Sequence, residues 1–269
     1  MKNCATVPVC GAIAALTLVT AMFAAHAQTG PISTDRPDLV ESAKTVGEGR
    51  WQIETSVAYA RGSNAGVKTT TFTTPSLLRY GFAPTWELRI ESDGHTRQKT
   101  RDSVASTTTS ERGASPTSVG LKWHTHDGDD SLPAIAWLLH ADLETGARAF
   151  RGQGVRPSLR TVFEWELPQD FSVGLLPGVI HDTTETHRRH AAGILAVVLG
   201  KSWTERFRTF VEISGQRIAS SRHGGSTVTY DAGAAYLLSN DVQLDTAFSW
   251  GANRNTPDFS WTVGLSVRF

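Results

Sequence analysis

The chain has only two cysteines, Cys4 and Cys10, and both stand within its first ten residues. The stretch that carries them reads as a segment to be removed. Lys2 is its only charge, an apolar run extends from about residue 12 to residue 25, and Ala25-His26-Ala27 follows as a small-residue cleavage site. A secretory signal peptide is therefore expected at residues 1–27. A transmembrane anchor would need a longer run, and a lipoprotein would need a small residue before Cys10, where Pro8 and Val9 stand. Once exported, the chain has no thiol, which excludes a disulfide framework, a thiolate metal site and a cysteine nucleophile even in an oxidising compartment. Net charge is lacking as well: without Lys2, 25 Lys and Arg face 26 Asp and Glu. Bulk attraction to nucleic acid is excluded by that balance. No later run is long and apolar enough for a membrane helix, which leaves membrane strands open.

What the chain has in abundance is alternation. From residue 50 onward, apolar or aromatic residues recur at every second position in run after run, as in strands with two unlike faces. Twelve strands are expected, near residues 50–60, 70–82, 86–92, 116–124, 133–144, 155–167, 171–181, 191–203, 207–214, 227–238, 242–250 and 259–269. The last puts Phe259, Trp261, Val263, Leu265, Val267 and Phe269 on one face, with Ser260, Thr262, Gly264, Ser266 and Arg268 on the other. In water such an apolar ridge invites edge-to-edge association; in a bilayer it is what a barrel strand needs. The connections agree. Three-residue links at 83–85, 168–170, 204–206 and 239–241 alternate with longer polar ones at 61–69, 93–115, 145–154, 182–190, 215–226 and 251–258, the eight residues 125–132 being the exception. Short periplasmic turns and longer outer loops then place both chain termini in the periplasm. Aromatic residues gather at both sets of strand ends, Trp51, Tyr80, Trp86, Trp123 and Trp203 at one and Tyr59, Phe72, Trp250, Phe259 and Trp261 at the other, as two interfacial girdles require. The predicted fold is an all-β transmembrane antiparallel barrel of twelve strands, residues 50–269, in the bacterial outer membrane.

Residues 28–49 hold Pro31, Pro37, Gly47 and Gly49 among mixed charges and read as an irregular segment ahead of the barrel. Here Ser33-Thr34-Asp35-Arg36-Pro37-Asp38, Glu41-Ser42 and Gly49-Arg50-Trp51-Gln52-Ile53-Glu54 stand in order, followed by Pro75-Ser76-Leu77-Leu78-Arg79-Tyr80-Gly81 and Trp86-Glu87-Leu88-Arg89-Ile90. These blocks resemble the outer-membrane transporter family named for the MetA pathway of phenol degradation. The resemblance covers the first third of the chain and implies a barrel, a transport role and aromatic compounds among the solutes. The last strand is similar to the assembly signal of outer-membrane proteins through Thr262, Gly264, Val267 and Phe269, which implies recognition by the outer-membrane assembly machinery.

The phase of each strand assigns its lumenal residues. Along 155–167, Arg156, Ser158, Arg160, Glu164 and Glu166 share one face, opposite Val155, Pro157, Leu159, Phe163 and Trp165. A lipid-facing Arg or Lys at the midplane costs about 2–4 kcal/mol, so the charged face is the lumen. The same phasing sends Glu54, Arg79, Glu87, Arg89, Glu91, Lys122, His140, Asp142, Glu144, Arg208, Glu212, Asp231, Asp245 and Arg268 inward. Mixed signs predict ion pairs that partly fill the interior; the other reading is a narrow polar pore with Arg79, Arg89, Arg156 and Arg160 as a basic stripe opposite an acidic one. Residues 28–49 either enter as a plug, with Asp35, Arg36, Asp38 and Glu41 pairing with these charges, or cap the barrel base from the periplasm. Pro75, Pro157 and Pro177 each remove a strand amide, so bulges or strand ends are expected there.

Two polar groups invite a metal: His124, His126, Asp127, Asp129 and Asp130, and His181, Asp182, His187 and His190. Neither spacing matches a motif with a fixed mechanism, so solvated links are expected and no metal is assigned. For a hydrolase, His140 with Asp142 is the nearest pair, and it lacks a nucleophile. With no phosphate loop between strand and helix, no cofactor is assigned and no enzyme is expected. The reading is a monomeric barrel that passes small solutes passively, with outer-membrane lipid, the assembly machinery and a small-molecule solute as partners and no nucleic acid. A closed barrel serving envelope structure or surface contact through residues 93–115 is the alternative, and an outer-membrane hydrolase a third. Deleting Phe269 is expected to lower the heat-modifiable, folded form in the outer membrane while export is unchanged; normal accumulation of that variant would refute the assembly role.

Overall fold

The computed structural model describes residues 30–129, 131–184 and 188–269; the expected signal peptide lies outside them. Fifteen strand segments follow one another: β1 (Trp51–Asn64), β2 (Val67–Thr73), β3 (Ser76–Ala83), β4 (Trp86–Ser92), β5 (His95–Asp102), β6 (Thr107–Ala114), β7 (Thr117–Asp127), β8 (Ala134–Asp142), β9 (Arg156–Leu167), β10 (Phe171–Thr183), β11 (Arg189–Ser202), β12 (Phe207–Ile218), β13 (Thr227–Ser239), β14 (Val242–Gly251) and β15 (Phe259–Arg268). Segments β2 with β3, β4 with β5 and β6 with β7 are each one strand interrupted once, so the barrel has the twelve strands expected. All pairing is antiparallel between neighbours, and β15 closes on β1 from Gln52 opposite Arg268 to Arg61 opposite Phe259.

Alternation decides which side each residue faces. In β1, Trp51, Ile53 and Val57 are exposed on the outside, and Gln52, Glu54 and Ser56 are buried within. In β11, Leu195, Val197 and Leu199 face out, yet Ala192, Ile194, Ala196 and Val198 face in, so this strand is apolar on both sides. Rings gather at the strand ends. Trp51 stacks on Tyr80 at 4.4 Å and Trp86 on Trp123 at 5.2 Å at the short-turn end, and Tyr59 stacks on Trp261 at 6.1 Å at the other. Trp137, opposite Trp123, extends the first group.

The structure corrects two expected outer links. Residues 61–69 are a hairpin, because β1 runs on to Asn64 and turns through Ala65 and Gly66, both at positive φ (48° and 84°), as a tight hairpin requires. Most of 93–115 is the β5–β6 hairpin. These strands rise beyond the girdle and meet water on both faces, so no apolar alternation marks them. Their Thr-rich runs, Thr69–Thr71 and Thr107–Thr109, are nevertheless good strand formers. Pro75 lies between β2 and β3, and the β9–β10 ladder lapses between Leu175 and Gly178, where Pro177 stands.

One irregularity changes the facing of a whole sheet. Phe72 and Ser76 on one strand oppose Arg97 and Ser92 on the next, so β4–β5 carries one residue more than β2–β3 across the break. Gly94 takes up that residue at φ 66°, and a Cβ there would lie 2.2 Å from Thr74 O. A period of two shifted by one exchanges the faces of every residue beyond it. Odd positions point inward in β4 (Glu87, Arg89, Glu91) and outward in β5.

An arginine at Val197, which faces outward midway along β11, should lower stability by about 2–4 kcal/mol in urea unfolding from lipid vesicles. An unchanged midpoint would place that face away from lipid.

Candidate functional site: the lumen and the segment it holds

Residues 30–50 lie inside the barrel without regular structure, and both ends of the segment stand at the short-turn mouth. Ile32 donates its amide to Asn240 O at 2.6 Å, Arg268 donates to Gly30 O at 2.9 Å, and Gly49 donates to Gly81 O at 2.7 Å. A Cβ at position 81 would sit 1.9 Å from Gly47 O, so glycine there lets the segment pass close to β3.

An irregular backbone has no ladder to satisfy its amides. Four strands supply glutamates that do. Glu54 on β1 accepts from Asp35 N at 3.0 Å, Glu212 on β12 from Leu39 N at 3.0 Å and Val40 N at 2.9 Å, Glu164 on β9 from Ala43 N at 2.6 Å, and Glu87 on β4 from Val46 N at 3.0 Å.

The Asp35 carboxylate sits at the centre of the charges. Lys122 donates to its two oxygens at 2.9 and 2.8 Å, Arg89 donates to Oδ2, Arg79 lies 3.5 Å away, and the Ser42 amide adds a bond of 2.9 Å. Arg79 also reaches Glu54 and Glu87, both at 2.8 Å, and Glu41 takes Arg89 at 2.9 Å and Arg160 at 3.0 Å. Arg36 turns the other way, to Thr262 at 2.8 Å and Asp245 at 3.5 Å, and Asp38 faces Arg208 at 3.6 Å. Arg79 and Lys122 have no exposed surface, a burial that charge tolerates only when paired. The other wall is apolar: Val40 and Ala43 pack into a cluster with Leu138, Val162, Leu176 and Phe210. Among the described residues, a cavity lies on each side of the segment. One of about 580 Å³ opens at the short-turn mouth beside Ile32, Lys44 and Arg208, and one of about 160 Å³ lies beyond Asp38 and Glu41, against Arg89, Glu91 and Arg160.

The sequence-predicted residues fall as follows. Glu54, Arg79, Glu87, Arg89, Lys122, His140, Glu212, Asp245 and Arg268 are buried within the barrel. Glu91, Asp142, Arg156, Arg160, Glu164, Arg208 and Asp231 are partly covered, and Glu166 is exposed at the end of β9. Glu144 departs from expectation: it lies past the end of β8, exposed, and accepts the Gly154 amide at 3.1 Å within an outer link. Alternation ends at Asp142, so phase carries no information beyond it. The four arginines of the basic-stripe reading each face carboxylates, Arg156 meeting Asp142 at 3.2 Å and Asp182 at 3.4 Å. Sequence reasoning missed the apolar wall, although Ala134, Ala136 and Leu138, and Ile194, Ala196 and Val198, hold the lumenal phase throughout.

His140 stands 3.8 Å from Glu91, whereas Asp142 bonds Ser118 at 2.6 Å, so the expected His140–Asp142 pair is divided. His124 joins Ala43 O at 2.9 Å and Asp127 at 2.8 Å. Hydrogen bonds from Ser131 and Leu132 hold the Asp129 carboxyl below the usual range. His181 is exposed outside β10 and Asp182 is buried inside, so they face opposite ways; His190 stacks on His223 at 4.2 Å. Asp130 and His187 lie outside the described residues.

The sequence profile of the family described as "Putative MetA-pathway of phenol degradation" matches residues 34–269. The chain belongs to this family. Similar solved structures include an outer membrane channel from Pseudomonas putida F1, at 12% identity and a TM-score of 0.64, covering 85% of this chain and 98% of that one. The β domain of the Bordetella autotransporter BrkA aligns at 15% identity and a TM-score of 0.55, over 83% of this chain and 100% of that one. The NanC porin aligns at 10% and 0.50, over 80% and 98%. At these identities the likeness is one of fold, that of outer-membrane barrels. No match was found among curated proteins.

Changing Asp35→Asn removes the carboxylate shared by Lys122, Arg89 and Arg79, and breaking such a buried set costs about 3–5 kcal/mol. Protease cleavage within residues 30–50 should then quicken on the order of a hundredfold. Unchanged cleavage would refute the central place given to Asp35.

Proposed function

We propose that this barrel is a channel for small solutes and that the inserted segment, residues 28–49 in the sequence reading, is its plug. The observation that carries this reading is the chemistry of the seat. The segment is held by hydrogen bonds and ion pairs from Glu54, Glu87, Glu164, Glu212, Arg79, Arg89 and Lys122, whose partners water or a solute can replace. The Thr262 hydroxyl that bonds Arg36 belongs to the same set.

With the segment withdrawn, charged groups would face an apolar wall of Leu138, Val162, Leu176 and Phe210. Such a lining suits a small molecule with an apolar body and a polar edge, and the family's description implies aromatic compounds among such solutes. Movement would be passive and would follow the solute's own gradient. The filled lumen also favours a second reading, a closed barrel that serves the envelope without conducting.

Single-channel recording separates the two. The full chain in a planar bilayer should show rare steps, and a variant lacking residues 28–47 should show frequent, larger ones. If the deletion variant still migrates as a folded, heat-modifiable barrel and gives no steps, the channel reading is overturned in favour of the closed barrel.

A further inference from the structure

The sheet above the outer girdle sorts its charges by face. Directly paired residues of an antiparallel sheet share a side, so the register extends the outward face of β1 across β2, β5 and β6. Three rows result. Trp261, Tyr59, Phe72, Arg97 and Arg112 form the first; Phe259, Arg61, Thr70, Lys99 and Ser110 the second; Ser63, Lys68, Arg101 and Thr108 the third. The outward face therefore carries Arg61, Lys68, Arg97, Lys99, Arg101 and Arg112, all exposed. The acidic residues of β2, β5 and β6, Asp102 and Glu111, pair with Val67 and Gln98 and lie on the opposite face, as does Glu54 of β1. None of the six cations forms an ion pair with a described residue, whereas the lumenal Arg79, Arg89, Lys122, Arg156 and Arg160 all do. Arg61 lies over the Phe259 ring at 5.5 Å, which joins the patch to the aromatic belt. The extra residue at Gly94 creates this arrangement, for without it Arg97, Lys99 and Arg101 would point inward.

We propose that this face is a binding surface for the phosphate-bearing headgroups of outer-leaflet lipid. Its position fixes the occupant's depth: the first row holds girdle residues and cations side by side, at the level where an apolar body ends and headgroups begin. Its chemistry fixes the charge, since an uncompensated group of Arg and Lys beside a membrane attracts anionic lipid, and Arg binds phosphate oxygens through paired donors. The surface lies outside the barrel, so the proposal does not depend on whether the lumen conducts.

The test uses the full folded chain in detergent, titrated with lipopolysaccharide and with the same glycolipid after enzymatic removal of its phosphates. The wild type should bind the phosphorylated form, and the variant R97Q/K99Q/R101Q/R112Q should lose on the order of a hundredfold in affinity. A control removing four cations of other outer links, R148Q/R151Q/R222Q/R254Q, should bind nearly as the wild type does. If the first variant does not give a heat-modifiable band, R61Q/K68Q replaces it, with a loss of about tenfold or more expected. Equal binding by the patch variant, an equal loss in the control, or equal affinity for the dephosphorylated glycolipid would each overturn the proposal. Displacement by millimolar inorganic phosphate would overturn it too, by assigning the patch to free anions.

Discussion

An irregular backbone inside a barrel must find partners for its amides away from bulk water, and much of the lumen's composition follows from that constraint. Glu54, Glu87, Glu164 and Glu212 come from strands spread around the wall, yet each accepts a main-chain N–H of the same short segment. Each carboxylate so placed brings its own desolvation cost, which Arg79 offsets at Glu54 and Glu87 and Arg89 at Glu87, while Arg89 and Lys122 also meet Asp35 and Glu41 of the segment. The segment thus completes the wall's electrostatics as much as the wall satisfies the segment. Withdrawing Asp35 takes a shared counter-charge from Lys122, Arg89 and Arg79, and water or a solute entering the lumen has to stand in for it.

One rule of alternation produces three different surfaces here. Along most of the barrel it sets lipid-facing aliphatics against lumenal groups, and around β8 to β12 it leaves apolar side chains on both sides. Above the girdle the same rule, shifted by the one extra residue at Gly94, separates cations from carboxylates across a two-sided polar sheet. A single inserted residue is a small change in sequence, but a period of two converts it into an exchange of faces for β5 and its partner β6.

The same alternation marks some of these features in the sequence and leaves others unmarked. The twelve strands and the inward phase of residues such as Glu54, Arg79, Lys122 and Glu212 were legible because an apolar outer face forces strict alternation. The hairpins of β1–β2 and β5–β6 were not, since strands wetted on both sides carry no such contrast. Glu144 was misplaced for a related reason, its strand having ended two residues earlier. The partners of the lumenal glutamates left no trace in the sequence: a backbone amide is supplied by any residue, so Leu39, Val40, Ala43 and Val46 gave no hint of what they would bond. Asp35, Arg36, Asp38 and Glu41 were recognisable as charges in need of opposites, though not which opposites.

The anchoring of the inserted segment at one mouth has a kinetic meaning. Arg50 passes directly into β1, and Ile32 and Gly49 are both fastened to the short-turn rim. A segment that came free would remain tied to the wall by its own chain, at an effective concentration on the order of millimolar. Its return would be a unimolecular event, independent of how much protein the membrane holds. Any molecule occupying the lumen in its place would compete with a ligand that never diffuses away.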